Sequence, residues 1–379
     1  MFSSWLCRLA WGNGTKLQAF TTHHLLQSAQ FLSQDIDRVA ADSLLNSVAR
    51  RCGVSAERAH QSCLSAYAGV LWERFNPRGP LDWALLYRKG AHNPRQRQGY
   101  ALQFCRLCLA EDEDPYFRRG WRLAFSTTCT RHGIYLSDAC PLCHSPVVPT
   151  LSDRGKRLLP LQSPLAYCYQ CHWDLRLPVT GDLPADAREL DFQQRLLTAL
   201  VDGCALDLPG ASNYSLLMFR GLKRLLQLLG GGGRFRRVRE QLLDRLQCLD
   251  LQCPVQCHYC FEAMRVGDRS LELELLRTLL ECWPEFFVNA CLTAKVSSSY
   301  IQNYRSTLPF WLYRPVDQFL FDQCYAPSMC ERTEARKYLV ARGQPANDSA
   351  VNRLLGVWSG KAEEWRLQAP RWNTRSKRL

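Results

Sequence analysis

The chain has 379 residues and a mass of 43.5 kDa, more than one domain usually holds, so two or three domains are expected, each with its own core. Its 48 Lys and Arg against 35 Asp and Glu give a net charge of +13, and its hydrophobic content is 46%. These values exclude a miniature fold and a disordered basic arm. They favour a folded protein with a polyanionic partner.

Nineteen cysteines suit either a disulfide scaffold or a set of metal ligands. The number is odd, so complete disulfide pairing is excluded. The chain opens with no secretory signal, and no run approaches the roughly 18 apolar residues of a membrane span. We therefore expect a cytoplasmic protein with reduced thiols.

Apolar periodicity predicts a mainly α fold. We expect helix-turn-helix domains that flank a small, cysteine-rich tandem zinc-ribbon or zinc-knuckle region. Differences in helical periodicity and in cysteine and glycine content divide the chain into four regions. They are an N-terminal helical, helix-turn-helix-like domain at 1–95, a tandem zinc-knuckle domain at 96–180, a helical region with a Gly-rich break at 181–270, and a C-terminal helical domain with a helix-turn-helix and a basic tail at 271–379.

Residues 43–66 predict two short helices around a glycine turn. The first ends near Gly53, and Ser55 caps a second helix that carries Arg58 on its outer face. In a DNA reader the second helix would enter the major groove. Any helical hairpin has the same pattern, so a scaffold or partner-binding role stays open.

Four cysteine-rich half-sites follow one another in the second region. Each has two ligands three positions apart, and two such turns close a tetrahedron around zinc. The first pair of half-sites comprises Cys105, Cys108, Cys129 and His132; the second comprises Cys140, Cys143, Cys168 and Cys171. We expect two structural Zn²⁺ ions, because a catalytic site would keep one position open. Unliganded buried cysteines are the simpler alternative.

Two further features of the cysteine pattern bear on the ligand sets. His144 and His172 adjoin the second set and could replace a cysteine, although surface positions suit them better. A third group, at residues 253–260, contains one CxxC pair and no second half-site. Core or solvent-exposed thiols explain that group more simply than zinc.

Arginines alternate with aromatic residues between 88 and 122, including Arg118 and Arg119 beside Tyr116 and Trp121. Guanidinium groups pair with phosphates and rings stack on bases, so the segment suits nucleic acid. The alternative is that the rings pack around the zinc knuckles while the arginines face solvent. The pattern does not separate the two.

Residues 333–356 predict a second helix-turn-helix. Its first helix has Ala335, Tyr338 and Leu339 inward and ends at Gly343, and Asn347 or Asp348 caps the next helix. The apolar face of that helix consists of Ala350, Val351, Leu354 and Leu355. Ser349, Asn352 and Arg353 then project outward, where they could contact base edges.

The chain has no phosphate-binding loop, no HExxH, no GxSxG and no Gly-rich dinucleotide turn. No catalytic constellation is singled out among its carboxylates. We therefore expect no enzymatic activity.

Four segments carry a family resemblance. They are SSWLCRLAWGNG, PYFRRGWRLAF, LSDACPLC and YCYQC, and with them residues 1–175 resemble the TniQ/TnsD family of transposon target-selection proteins. Residues 275–292 resemble a helical segment found further on in such proteins. Residues 178–230 do not align.

The resemblance implies a non-catalytic adaptor of the bacterial cytoplasm that acts at the nucleoid. Such proteins recognise a CRISPR effector complex with its guide RNA, or attachment-site DNA, and recruit the AAA+ ATPase regulator that brings in the transposase. The resemblance also implies a homodimer, with the N-terminal helices as the contact. The compact chain favours docking on a CRISPR effector, and hence RNA-guided integration.

Two other classes of protein remain. A zinc-ribbon, helix-turn-helix transcription regulator shares the expected folds but has no reason to carry PYFRRGWRLAF. A metal-dependent nuclease or integrase requires a carboxylate cluster in the folded chain.

Overall fold

The computed structural model describes residues 1–28, 30–85, 88–89, 97–98, 101–153, 163–178, 184–205, 213–247, 260–302, 308–320 and 327–355. These residues are mainly helical, which confirms the predicted α class. Within them, no helix has the length and apolar character needed to cross a bilayer. The chain divides into two compact units: Met1–Phe287 with Leu308–Leu312, and Val288–Thr307 with Tyr313–Leu379.

Short helices dominate the first half of the chain and longer ones the second. The α-helices are α1 (Phe2–Gly12), α2 (Leu17–His24), α3 (Ile36–Val39), α4 (Asp42–Cys52), α5 (Ala56–His60), α6 (Arg106–Glu111), α7 (Ala187–Asp202), α8 (Ser215–Gly230), α9 (Phe235–Arg245), α10 (Val266–Leu280), α11 (Glu285–Thr293), α12 (Ser298–Ile301), α13 (Phe310–Leu320), α14 (Met329–Ala341) and α15 (Asp348–Leu354).

The strands are two-residue segments in antiparallel pairs. They are β1 (Arg88–Lys89) with β2 (Arg97–Gln98), β3 (Thr128–Cys129) with β4 (Ile134–Tyr135), and β5 (Cys204–Ala205) with β6 (Asn213–Tyr214). In the second pair Cys129 lies opposite Ile134. That hairpin therefore closes directly over a predicted metal ligand.

One hydrophobic core joins the N-terminal helices to the cysteine-rich segment. Phe2 and Leu6 of α1 lie in it together with Phe104, Phe117 and Cys105, all at most 2% exposed. A buried ion pair fixes the same junction. Arg122, fully buried, lies 2.6 Å from Asp35 and 3.3 Å from Asp37.

The backbone and side chain of Ser3 in α1 both donate to the Asp37 carboxylate, at 2.8 and 2.7 Å. Burial raises the pKa of Asp37, and the charge of Arg122 opposes that rise. Ser3 and Arg122 belong to the segments SSWLCRLA and WRLAF. Two of the recognisable segments therefore hold each other in place inside the fold.

Helices α8, α9 and α10 pack against one another in the same unit. Leucines of α8 and α10 and the α9 residues Phe235, Val238 and Leu242 are buried between them. Arg239 of α9 lies 2.7 Å from the buried Glu272 of α10. Arg236 and Arg237 of α9 are exposed, so the arginines of this helix divide between solvent and the ion pair with Glu272.

The second unit contains the hairpin of α14 and α15. Its small core consists of Ala335, Leu339 and Val351, each at most 5% exposed. Two sequence expectations were wrong here: Tyr338 is 46% exposed and Leu354 is 45% exposed. Two short helices cover only a narrow stripe on each other, so the outer residues of each apolar face stay in solvent.

Candidate metal centres

The first cluster brings together the ligand atoms of Cys105, Cys108, Cys129 and His132, all within 4.8 Å of one another. Cys105 is the N-cap of α6, and Cys108 lies in the first turn of that helix. The other two residues come from the tight turn that joins β3 to β4. The three thiol sulfurs lie 3.3 to 3.5 Å from His132 Nδ1.

The second cluster brings together Cys140, Cys143, Cys168 and Cys171, also within 4.8 Å. The sulfurs of Cys140 and Cys171 are 3.5 Å apart, and those of Cys143 and Cys168 are 3.6 Å apart. Cys140 and Cys168 are buried, whereas Cys143 and Cys171 are half-buried. Each pair of ligands flanks a short turn.

Three of the four turns share one backbone design. The residue after the second ligand adopts a left-handed conformation, with φ of 63° at Gly133, 56° at His144 and 62° at His172. In each turn its N–H donates to the carbonyl of the first ligand, at 2.8 to 3.0 Å. The two histidines therefore complete turns as Gly133 does, and neither belongs to a ligand group.

Both donor sets fit a tetrahedral zinc ion. Zinc bonds of about 2.3 Å to sulfur and about 2.0–2.1 Å to nitrogen place tetrahedral ligands about 3.8 Å apart for two sulfurs and about 3.6 Å for sulfur and nitrogen. The sulfurs of Cys108 and Cys129 are 3.7 Å apart, and the other distances are slightly shorter. Thiolates and imidazole are the donors that structural zinc prefers.

The thiols within each cluster have pKa values shifted in opposite directions. Hydrogen bonds from Cys105 and Cys108 lower the pKa of Cys129, whereas the same network raises the pKa of Cys108. In the second cluster burial opposes ionisation of Cys143, but hydrogen bonds from Ser145 and the neighbouring thiols outweigh it and lower the pKa to about 6. The thiolate is the form of cysteine that binds metal.

Gln193 of α7 supports the first cluster and carries no motif that sequence reasoning could detect. Its Oε1 accepts from the N–H groups of Thr127 and Thr128, at 2.8 and 2.9 Å, and its Nε2 donates to the Thr128 carbonyl at 2.7 Å. The side chain is 4% exposed. This buried amide fixes the strand that leads into Cys129.

Asp138 performs a comparable task beside the second cluster. It lies two residues before Cys140 in the LSDAC segment and accepts from the N–H of Val266 at 2.7 Å. Val266 is the first residue of α10, so the carboxylate caps that helix and meets its positive end. Asp138 thus connects the segment that carries the second cluster to helix α10.

Arg118 and Arg119, two of the predicted nucleic-acid contacts, already have partners within the protein. Arg118 makes two hydrogen bonds to Asp112, at 3.1 and 2.9 Å, and lies over the rings of Tyr116 and Trp121. Arg119 donates to the carbonyl of Gln61 and covers a tyrosine ring. A phosphate would have to compete with these contacts.

The other predicted nucleic-acid contacts lie on α15, where Asn347 is the N-cap and accepts from Ala350 N–H at 2.8 Å. Ser349 and Arg353 are exposed, whereas Asn352 is half-buried. The helix thus presents two of the three side chains fully to solvent.

The earlier hairpin of α4 and α5 also follows its predicted local chemistry. Gly53 has a φ of 65°, and the Ser55 side chain accepts from Arg58 N–H. Its second helix has only five residues, fewer than the predicted segment allows. Within the third cysteine group, residues 253–259 lie outside the described part of the chain, so the prediction for that group is untested.

Comparison with known proteins agrees with the interpretation of the sequence. No curated protein matches the chain, but residues 1–136 match the family model TniQ. The matched range contains every ligand of the first cluster and ends before the second. Over these residues the chain is similar to the TniQ family.

Proposed function

We propose that the chain is a transposition target-selection adaptor. It links a target-recognition complex to the AAA+ ATPase regulator of the transposon and, through it, to the transposase. The TniQ match over residues 1–136 carries this proposal. The packing of SSWLCRLA against WRLAF through Ser3, Asp37 and Arg122 supports it, because the family segments form one structural unit.

The metal assignment within this proposal is two structural Zn²⁺ ions, one in each cluster. Bound zinc would cross-link four ligands and contribute to folding free energy. Both sets supply four protein ligands, which leaves no open position for a substrate. We therefore propose no catalytic role for either ion and no strand-transfer or cleavage activity for the chain.

Metal analysis of protein purified without added zinc tests this assignment, with an expected content near two ions per chain. A folded protein with no zinc would contradict it, and a content of three would revive the group at residues 253–260. Incubation with DNA and divalent metal should give no cutting. Cutting that disappears when a carboxylate cluster is mutated would favour the nuclease or integrase class.

For the target, we propose docking on a CRISPR effector complex, with phosphate contacts from the basic surface. The short α5 and α15, of five and seven residues, support this choice because they offer little surface for reading a long DNA site. Attachment-site DNA read by Ser349, Asn352 and Arg353 is the alternative target.

A pull-down decides between these targets. The tagged full chain is incubated with a CRISPR effector complex and an AAA+ ATPase transposition regulator, and in parallel with random and attachment-site DNA. Retention of the effector and the regulator supports the adaptor. Tight sequence-specific DNA binding without the effector would overturn the choice of target, and absence of the ATPase regulator would contradict the adaptor itself.

Arg353→Ala refines the DNA arm of this test. If α15 reads bases, the variant should lose about 1 to 3 kcal/mol at one base pair and little elsewhere. Arg342→Ala is the matched control, because Arg342 is an exposed arginine at the end of α14 that lies over Tyr338. Equal weakening on every sequence by both variants would indicate phosphate contact alone.

A zinc-ribbon, helix-turn-helix transcription regulator is the second candidate. The capped α14–α15 hairpin and its exposed Arg353 are the observations that favour it. Sequence-specific binding to a promoter with no retention of the transposition proteins would support this candidate instead.

A further inference from the structure

Helix α6 carries a carboxylate that faces the first cluster. The helix begins after Cys105, contains Cys108 and ends at Glu111. Residues three positions apart lie on the same face of a helix. One helical turn therefore directs the Cys108 thiol and the Glu111 carboxylate toward the same neighbour, the turn that holds His132.

The imidazole of His132 lies between the thiols and this carboxylate. Its Nδ1 is 3.3 to 3.5 Å from the three sulfurs. Its Nε2 is shielded from solvent and lies 2.9 Å from Glu111 Oε1. A neutral imidazole has one proton, so a ring that offers the Nδ1 lone pair to a metal carries its proton on Nε2, the ring nitrogen that lies 2.9 Å from the Glu111 carboxylate.

The second oxygen of Glu111 is held as well. Its Oε2 lies 2.8 Å from the guanidinium of Arg131, which precedes His132 in the same turn. The carboxylate thus contacts two consecutive residues of the turn. Both Glu111 and Arg131 are about half exposed or more, at 47% and 62%, so the Arg131 pair contributes little to folding stability. Its consequence is geometric, because it limits the rotation of the carboxylate.

We propose that Glu111 is a positioning residue that orients His132 as the Nδ1 ligand and strengthens metal binding at the first cluster. This rests on the zinc assignment proposed above. A carboxylate behind a ligating histidine fixes the ring and its tautomer, and loss of such a partner typically costs 10- to 100-fold in metal affinity. The second cluster has no histidine ligand and is independent of Glu111.

The test is zinc release from the purified full chain during titration with a chelator. In Glu111→Ala, one of the two ions should be released at about 10- to 100-fold lower chelator concentration, and the other should behave as in the wild type. Glu111→Gln keeps an oxygen that can accept from Nε2–H and should recover part of the loss. Glu113→Ala removes an exposed acid two residues away and should release both ions as the wild type does.

Cobalt substitution gives a readout that a general loss of stability does not produce. The absorption bands of the ion bound by three sulfurs and one nitrogen should shift in Glu111→Ala, while those of the four-sulfur ion should stay unchanged. The role of Glu111 would be overturned if Glu111→Ala released both ions at the same chelator concentrations as the wild type. It would also be overturned if Glu113→Ala had the same effect as Glu111→Ala. A wild-type chain without zinc would instead remove the metal assignment itself, and this role with it.

Discussion

The two clusters of candidate metal ligands share their turn geometry but differ in how the surrounding protein supports them. The first cluster takes its ligands from a helix and a β-hairpin, and three of its four ligands are buried. The second takes its ligands from turns, and two of its four cysteines are half-buried. When the ligands of a cluster lie on a helix or a strand, loss of the cluster also destabilises that helix or strand.

The side chains around the two clusters also differ, and they give the first cluster more support than the second. Glu111 and Gln193 contact the first cluster or the strand leading into it. The second cluster is connected to helix α10 through Asp138, which accepts a hydrogen bond from the first residue of that helix. The family match also includes all of the first set of ligands and none of the second. We infer that the first cluster belongs to the core of the TniQ domain, whereas the second extends it.

The largest difference should appear when one ligand is removed from each cluster. Cys108→Ser replaces a buried ligand, and we expect the loss of about one zinc ion and a fall in stability of more than about 4 kcal/mol. Cys171→Ser replaces a half-buried ligand and should also release about one ion, with a smaller fall. Zinc content and thermal unfolding measure both variants.

The exposed Cys330 provides the control for these variants, because Cys330→Ser removes a thiol that lies outside both clusters. It should leave zinc content and unfolding temperature unchanged. Equal destabilisation by Cys108→Ser and Cys171→Ser would show that the two clusters contribute equally to folding stability.

A smaller effect is expected at Gln193, which tests whether α7 supports only the first cluster. Gln193→Ala leaves two buried N–H groups and a carbonyl without their partner, at a cost of about 3 kcal/mol. Zinc should be released faster from the first cluster and at the wild-type rate from the second. Gln194→Ala, at the exposed neighbouring position, is the control. Faster release from both clusters would indicate general loosening instead.

Much of the local design could be predicted from the sequence. The spacing of the cysteine and histidine pairs predicts which residues come together in each cluster, because the two residues of a pair lie within four positions of each other at a tight turn. Gly53, Ser55 and Asn347 reveal the helix ends for the same reason. Each of these signals lies within a few residues of the feature it specifies.

Long-range support could not be predicted in this way. Gln193 contacts a strand 65 positions earlier in the chain, and a glutamine in an amphipathic helix has no distinguishing neighbourhood. Arg118 is similar: its partner Asp112 is close in sequence, but only the folded chain shows that the pair lies between aromatic rings. The alternation of arginines and aromatic rings suits nucleic acid, and a contact from Arg118 stays a prediction; in the folded chain its guanidinium group is hydrogen-bonded to Asp112.

The smallest expected effects concern the left-handed turn residues, which should respond in opposite ways. Gly133→Ala in the first cluster forces a side chain into a φ of 63°, at a cost of about 1 to 2 kcal/mol. The added Cβ would lie 3.8 Å from the nearest atom, in Leu190, so backbone strain alone sets this cost. His144→Gly in the second cluster relieves the same strain but makes the unfolded chain more flexible.

We therefore expect His144→Gly to leave the free energy of unfolding unchanged or to raise it by up to about 1 kcal/mol. Both zinc ions should be retained, because His144 shapes the turn and binds no metal. Chemical denaturation and zinc content measure the two variants together. Loss of one ion from His144→Gly would identify this histidine as a ligand. The second cluster would then resemble the first in its donor set, and the contrast between them would rest on their neighbours alone.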